Sequence, residues 1–423
     1  MNRKTIMLII VAALGYFVDI YDLVLFNVVK RESLQYLFPD QNPQWVTDTG
    51  IFLFNMQMTG MLLGGLIWGI LGDKKGRVEV LFGSILLYSA ANITNAFITS
   101  IPLYAAVRII AGIGLAGELG AGITLISETM AKDKRGVGTM IVVTFGALGA
   151  VLAGLIGIEG EKIGAFLESL FHFPFPNWRV AYIMGGALGL VLLILRIGVF
   201  ESGMFSEIRH AEHIKKGDFF LLFRSWTNFK KYLACILVGV PIWYMIGLLV
   251  SLSADIFGKE LAVQGTVVNG KAFMYCYLGL SAGDFVSGLL SQWWKSRKKV
   301  VILYLGMSAV LITYFLYFSH GLSVTAYYWL CFAIGGATGY WALFVIIASE
   351  QFGTNIRSTV TNTVPNFVRG SVPVITLSFQ FLLPTFGNVN SAALVGLIVM
   401  ALALVSILSL KESFSKDLNY IEE

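Results

Sequence analysis

Gly69-Ile70-Leu71-Gly72-Asp73-Lys74-Lys75-Gly76-Arg77 lies between two long apolar runs and returns, degraded, in the second half of the chain. The second copy is Gly288-Leu-Leu-Ser-Gln292-Trp-Trp-Lys-Ser-Arg297-Lys-Lys, offset by 219 at its first glycine (288 − 69). A separate marker gives nearly the same offset. Glu128 is followed seven residues later by Arg135, and Glu350 seven residues later by Arg357, both displaced by 222 (350 − 128 and 357 − 135). Two independent markers at nearly one offset point to an internal duplication. In membrane carriers, parallel duplication of helical halves puts the substrate site between the halves, near the bilayer midplane.

The surrounding composition is that of a membrane protein. Of 423 residues, 57% are apolar by type and only 13% are charged, with a mean hydropathy of +0.76; soluble chains carry about a quarter charged residues. A window of about 19 residues predicts twelve spans: 5–29, 48–71, 80–99, 102–128, 137–158, 178–199, 230–256, 269–292, 300–318, 323–349, 358–383 and 390–410. The N-terminal Met1-Asn2-Arg3-Lys4 introduces the first of these rather than a signal peptide, because no small-residue cleavage site follows. The expected architecture is an all-α membrane protein of twelve transmembrane helices in two pseudo-symmetric six-helix halves. The halves are residues 1–200 and 229–423, the latter with a short cytoplasmic tail, and a charged cytoplasmic linker at 201–228 joins them. With the N-terminus inside, twenty-one Lys and Arg fall on the inner side against five outside, Lys30, Arg31, Lys162, Lys259 and Lys271. That bias predicts a multi-pass plasma-membrane protein of the bacterial inner-membrane kind, both termini cytoplasmic.

Charges inside the spans mark the chemistry, since an isolated one costs several kcal/mol and is retained where it faces a cavity or a partner. Asp19 and Asp22 sit three residues apart on one face of the first span. Asp22 lies about 10 Å below the outer surface, and Arg108, on a span running the other way, about 9 Å below it. An acid balanced between an arginine and desolvation changes its protonation on a small rearrangement, so Asp22, Arg108 and Asp19 are proton-coupling candidates. Glu118, about 24 Å down the fourth span, either joins them or pairs with a basic residue at the inner gate. Arg369, near the midplane of the eleventh span, is a natural ligand for an anionic substrate; the competing role is neutralising Asp284 or another buried acid. Adding 222 to Asp22 and Glu118 lands on Tyr244 and Tyr340, with Trp243 and Trp341 adjacent. The first half carries charge where the second carries aromatics, which suggests proton coupling in one and substrate packing in the other. Asn362, Asn366, Tyr21 and Gln57 complete the candidate substrate contacts. Asp73, Arg77, Glu128, Arg135, Glu350 and Arg357 are candidate gating residues, the two Glu–Arg pairs locking the cytoplasmic side.

Gly69–Arg77 resembles the signature loop of the major facilitator superfamily, Gly-x-x-x-Asp-x-x-Gly-Arg. Arg108 with Gly112, Gly114, Gly117 and Glu118 is similar to that superfamily's fourth-helix motif. Asp19-Ile-Tyr-Asp22, Gly117-Glu118, Glu128 with Arg135-Gly136, Trp178-Arg179 and Glu201-Ser202 resemble the metabolite:proton and aromatic-acid symporter branches. Asp19 stands where metabolite symporters tend to have Glu, and Gln292 replaces the acid of the second signature loop. The resemblance implies a cavity lined by the first and fourth helices, where related symporters place a protonatable acid and an arginine.

Other functions are excluded by context. Gly112-Ile-Gly114-Leu-Ala-Gly117 has the spacing of a dinucleotide loop but lies inside an apolar span, not after a strand. Cys235, Cys276 and Cys331 are scattered in apolar runs, which argues against disulfides or a metal site. No Walker loop or HExxH sequence is present. The expectation is a secondary transporter, not an enzyme. It would import a small organic acid or zwitterion with protons by alternating access, as a monomer with no cofactor and no nucleic-acid partner. The alternatives are an uncoupled facilitator, a proton-driven exporter of a metabolite or siderophore, or a non-transporting receptor.

Overall fold

The computed structural model describes residues 3–75, 77–120, 135–201, 221–353 and 356–414. The N-terminal half contributes α1 (Arg3–Leu37), α2 (Pro43–Lys75), α3 (Arg77–Asn95), α4 (Ile101–Leu115), α5 (Arg135–Ala147), α6 (Gly149–Glu159), α7 (Glu161–Phe171) and α8 (Asn177–Glu201). The C-terminal half contributes α9 (Trp226–Tyr244), α10 (Asn269–Trp293), α11 (Arg297–Tyr317), α12 (Val324–Thr338), α13 (Trp341–Gln351), α14 (Arg357–Arg369) and α15 (Val372–Ser409).

Ten stretches among the described residues are long and apolar enough to cross a bilayer. One of them, Thr359–Ser409, holds 51 residues, about 77 Å of helix and more than two hydrocarbon cores. Gly387 breaks it at φ +70°, a conformation that side chains with a Cβ resist, so the stretch makes two crossings. The 19 residues of α3, which carry Glu79 in the first turn, supply the twelfth crossing. The fold is all-α, in two pseudo-symmetric halves.

The halves share an interruption that the hydropathy windows do not show. α4 stops at Leu115 and α12 stops at Thr338, each well inside its crossing. The two helices start and end 223 residues apart (324 − 101 and 338 − 115). At this offset Glu118 corresponds to Trp341, rather than to Tyr340. The seventh crossing also departs from an α-helix. Pro241 has no N–H to donate, and beyond Tyr244 the chain widens into π-helical turns at Met245–Val250 and Ser253–Phe257. Such widened turns are frequent at functional sites.

One element had no counterpart in the sequence reading. α7 is 11 residues long, too short to span, and it exposes Phe166, Leu170 and Phe171. Its exposed apolar face is of the amphipathic kind that suits a membrane interface.

Candidate functional site

The centre of the molecule is an ion pair between the halves. Arg369 is the last residue of α14, and helix C-termini favour cations. Its Nη2 lies 3.8 Å from Oδ2 of Asp19 on α1. Both side chains are fully buried. At 3.8 Å the pair attracts without forming a hydrogen bond: both Asp19 oxygens, and Nε and Nη1 of Arg369, have no hydrogen-bond partner among the described residues. The guanidinium carbon sits 5.4 Å from the Trp341 ring and 6.0 Å from Trp243. Trp341 is brought there by the restart of α13 after the break in α12, and Trp243 lies just before the π-helical turns. Arg369, Trp243 and Trp341 share a cavity of about 10 Å³ with Tyr16 and Tyr277, far below the ~300 Å³ of a small ligand pocket.

Asp22 and Arg108 lie in the same region of the N-terminal half but do not form the ion pair expected from their depths. Arg108 donates through Nη2 to Gln57 Oε1 and packs over the rings of Phe26 and Tyr182, at 4.6 and 5.9 Å. Both Asp22 oxygens are without a hydrogen-bond partner. The partner assignment is therefore reversed from the sequence expectation: Asp19 is the acid with a cation beside it. Depth along two helices does not settle the side-chain direction that brings Arg108 to Gln57.

Glu118 is held by a residue that the sequence reading passed over. Arg196 on α8 donates to both Glu118 oxygens, Nη1 to Oε2 at 3.0 Å and Nη2 to Oε1, and both side chains are buried. Arg196 stands near the inner end of the sixth span, where a basic residue looks like an ordinary inside charge. Gly15 on α1 accommodates this pair, since a Cβ there would collide with Arg196 Nη2 and Glu118 Oε1. Gly15→Val should cost about 1–3 kcal/mol through overpacking. The check is a thermal melt in detergent, which should show a clear drop in Tm against wild type.

Among the described residues, contacts between the halves close both sides. On the side that the Lys–Arg bias predicts to be external, Lys30 is not a solvated end charge but a buried one. Its Nζ lies 3.3 Å from Asp255 Oδ2 and donates to Ser251 O at 3.0 Å. Arg31 Nη1 approaches Asp255 Oδ1 at 3.4 Å, and Ser251 Oγ donates to Asn27 Oδ1 at 2.7 Å. This network ties α1 to the π-helical part of the seventh crossing. Outside it lies a vestibule of about 480 Å³, lined by Gln44, Asp48, Asp255, Lys259, Glu260 and Gln380. On the opposite side Asn362 Nδ2 donates to Gly65 O at 3.1 Å and Asn366 Nδ2 to Ala116 O at 2.8 Å. With Asp19 and Arg369 buried between the two closures, the conformation is occluded.

Breaking the outer closure has a measurable consequence. Asp255→Asn leaves Lys30 buried without its counter-charge, a loss of about 3–5 kcal/mol borne only while that side is shut. External labelling of a cysteine placed at Ser251 should rise by about tenfold or more, at 1.4 kcal/mol per decade. Unchanged labelling would show that the pair does not hold the outer side closed.

Several expected substrate contacts point elsewhere in this conformation. Tyr21 OH donates to Ala181 O at 2.9 Å, Tyr244 OH to Ala392 O at 2.6 Å and Tyr340 OH to Val238 O at 3.0 Å, each within its own half. Asn362 and Asn366 serve the inner closure, and Gln57 holds Arg108. Asp284 does not neutralise Arg369; its Oδ1 accepts from Ala342 N at 3.0 Å and so caps the start of α13.

The gating pairs also differ from expectation. Glu350 accepts from Arg297 of the second signature loop, at 2.7 and 2.9 Å, and from Ser413 at 2.8 Å. Arg357 instead donates to the carbonyls of Ser349 and Phe352, at 3.1 and 3.2 Å. Glu412 of the tail receives Ser296 Oγ and the N–H of Arg297 and Lys298 at the start of α11. Partial burial pushes the Glu412 carboxyl up, but these hydrogen bonds and that from Phe414 N–H outweigh it and hold the group below the usual range. Glu128, and the side chains of Asp73, Arg77 and Arg135, lie outside the described residues.

The comparisons with known proteins agree with this architecture. The chain is 24% identical over 364 residues to the 3-(3-hydroxy-phenyl)propionate transporter of Escherichia coli (strain K12), covering 85% of this chain and 84% of that one. It is 30% identical over 158 residues to the niacin transporter NiaP of Acinetobacter baylyi (strain ATCC 33305 / BD413 / ADP1), covering 37% of this chain and 32% of that one. The fold matches the solved structure of the proton:xylose symporter XylE, bound to 6-bromo-6-deoxy-D-glucose, with a TM-score of 0.69, 17% identity and 98% of both chains covered. The Major Facilitator Superfamily profile matches residues 12–376, and with the duplicated signature loop and the twelve crossings this makes the chain a member of that superfamily, a membrane transporter and not an enzyme.

Proposed function

We propose that this transporter carries a small aromatic or heteroaromatic carboxylate, together with protons, by alternating access. The observation that carries the reading is Arg369, a buried guanidinium between the halves with Nε and Nη1 unpartnered and two tryptophan rings beside it. Nη2, once released from Asp19, makes a parallel N–H pair with either Nε or Nη1, and such a fork matches a carboxylate, while the Trp243 and Trp341 faces suit a flat ring. Two of the relatives are named for molecules of that shape, niacin and 3-(3-hydroxy-phenyl)propionate.

In this reading the substrate carboxylate takes the place of Asp19 beside Arg369. Asp19, left buried without a cation, then takes a proton from the water that entered with the substrate, because a neutral carboxyl is the form such surroundings tolerate. Asp22, whose oxygens accept no hydrogen bond, is the second site and exchanges that proton with Asp19, so that coupling needs both. Opening of the Lys30–Asp255 closure and of the Asn362/Asn366 closure would alternate. The excess of Lys and Arg on one side supports a cytoplasmic position for both termini.

Binding can be tested on the purified protein by thermal stabilisation. Nicotinate, 3-(3-hydroxyphenyl)propionate and 4-hydroxybenzoate are compared with the uncharged nicotinamide. At ~100 times Kd a ligand adds about 2.7 kcal/mol, so the melting temperature should rise for at least one carboxylate and stay fixed for the amide. Equal stabilisation by nicotinate and nicotinamide would contradict the role given to Arg369.

A further inference from the structure

We propose that a row of buried polar side chains on α3 conducts protons between the outer aqueous phase and Asp22, within the N-terminal half and apart from the substrate route between the halves. The proposal rests on the reading of Asp22 as a proton site.

Tyr88, Asn92 and Asn95 follow one another at spacings of four and three, so they share one face of α3, and Ser89 stands beside Asn92. All four are buried. None has its hydrogen-bonding capacity met among the described residues: Tyr88 OH, Ser89 Oγ, Asn92 Nδ2 and both polar atoms of Asn95 are without a partner there. Unmet groups this deep are costly, and buried water is the usual way to satisfy them. A row of them along one helix face is a track for a file of water.

The facing helix packs on the row through glycines, so no α8 side chain at these positions displaces its polar groups. α8 presents Gly185 and Gly189 to the row. A Cβ at Gly185 would collide with Asp22 Oδ1 and lie 3.2 Å from Asn92 Nδ2, and one at Gly189 would collide with Ser89 Oγ. The row has a beginning and an end. Asn95 is the last residue of α3, at the outer side, and Tyr88 lies about 10 Å deeper, within electrostatic reach of Asp22, Asp19, Glu118 and Arg196. The charged and titratable groups acting on Asp22 are Asp19 and Tyr21 from its own helix, Tyr88 from α3 and Arg108 from α4. A proton entering at Asn95 passes from water to water, the last hop forms an O–H bond on the Asp22 carboxylate, and bulk water restores the first donor. The step is proton transfer alone, with no change of oxidation state.

The test is the double variant Asn92→Leu/Asn95→Leu, which keeps the branched shape and removes the hydrogen-bonding atoms. In proteoliposomes, uptake of labelled nicotinate driven by an imposed pH gradient should fall about tenfold or more, while counterflow at equal pH on both sides stays within about twofold. The variant Asn92→Ser/Asn95→Ser, which keeps hydrogen-bonding groups, should retain more than about half the driven rate. A driven rate in the leucine variant equal to wild type overturns the row, as does an equal loss of driven uptake and counterflow. Absence of any pH-driven uptake by the wild type overturns the coupling reading itself, and the row with it.

Discussion

Arg369→Gln should lower kcat/KM for carboxylate uptake by about 30- to 700-fold, with the residual rate independent of whether the substrate carries a carboxylate or an amide. A two-pronged charge-assisted contact is worth about 2–4 kcal/mol, and each 1.4 kcal/mol is a decade. Arg369→Lys should fare little better, because an ammonium supplies one point of charge where the fork supplies two parallel donors. The substitution also strips Asp19 of its cation, and an uncompensated buried charge costs about 3–5 kcal/mol of stability. That lesion is separable from the binding one. In Asp19→Asn/Arg369→Gln both charges are gone, so the melting temperature should recover while uptake stays lost. Recovery of both would make the pair a packing device with no substrate role.

Asp22→Asn should abolish accumulation against a concentration gradient while leaving counterflow near the wild-type rate. Asparagine has nearly the shape of a protonated aspartic acid but cannot release a proton, so the carrier would be fixed in one protonation state. The packing cost is small, since Asp22 makes no hydrogen bond that the change would break. The expected loss in proton-driven steady-state accumulation is about tenfold or more, down to equilibration. Undiminished driven accumulation would remove Asp22 from the coupling chemistry and leave Asp19 as the site. Asp19→Asn separates the two, because it also releases Arg369 and should tighten carboxylate binding while impairing its release.

The twelve crossings and the duplication were legible in the sequence, because a bilayer demands long apolar windows and the paired signature loops survive at nearly one offset. The breaks within those windows were not. Leu115 and Thr338 end helices inside continuous apolar stretches, and their only local trace is glycine at 112, 114 and 117 and at 335, 336 and 339. Both breaks matter, since one precedes Glu118 and the other places Trp341.

Site residues were legible as types and mis-assigned as pairs. Asp19, Asp22, Arg108, Glu118 and Arg369 stand out because charge in an apolar span is costly, but which acid meets which base depends on how helices from both halves face one another. Lys30 shows the same limit from another side. A 25-residue window ends before it, whereas α1 continues to Leu37 and carries Lys30 under Asp255. Arg196 was hidden because a basic residue near an inner helix end has a sufficient explanation without any partner. The aromatic residues of the second half divided by geometry alone: Trp243 and Trp341 face Arg369, while Tyr244 and Tyr340 are held within their own half.

The most direct measurement of proton-coupled carboxylate transport is substrate-dependent proton movement in proteoliposomes holding an internal pH indicator, with no gradient imposed. Adding nicotinate outside should acidify the interior in wild type, with no such signal from nicotinamide and none from Asp22→Asn or Arg369→Gln. Nicotinate uptake by the wild type with no accompanying proton movement would contradict the account.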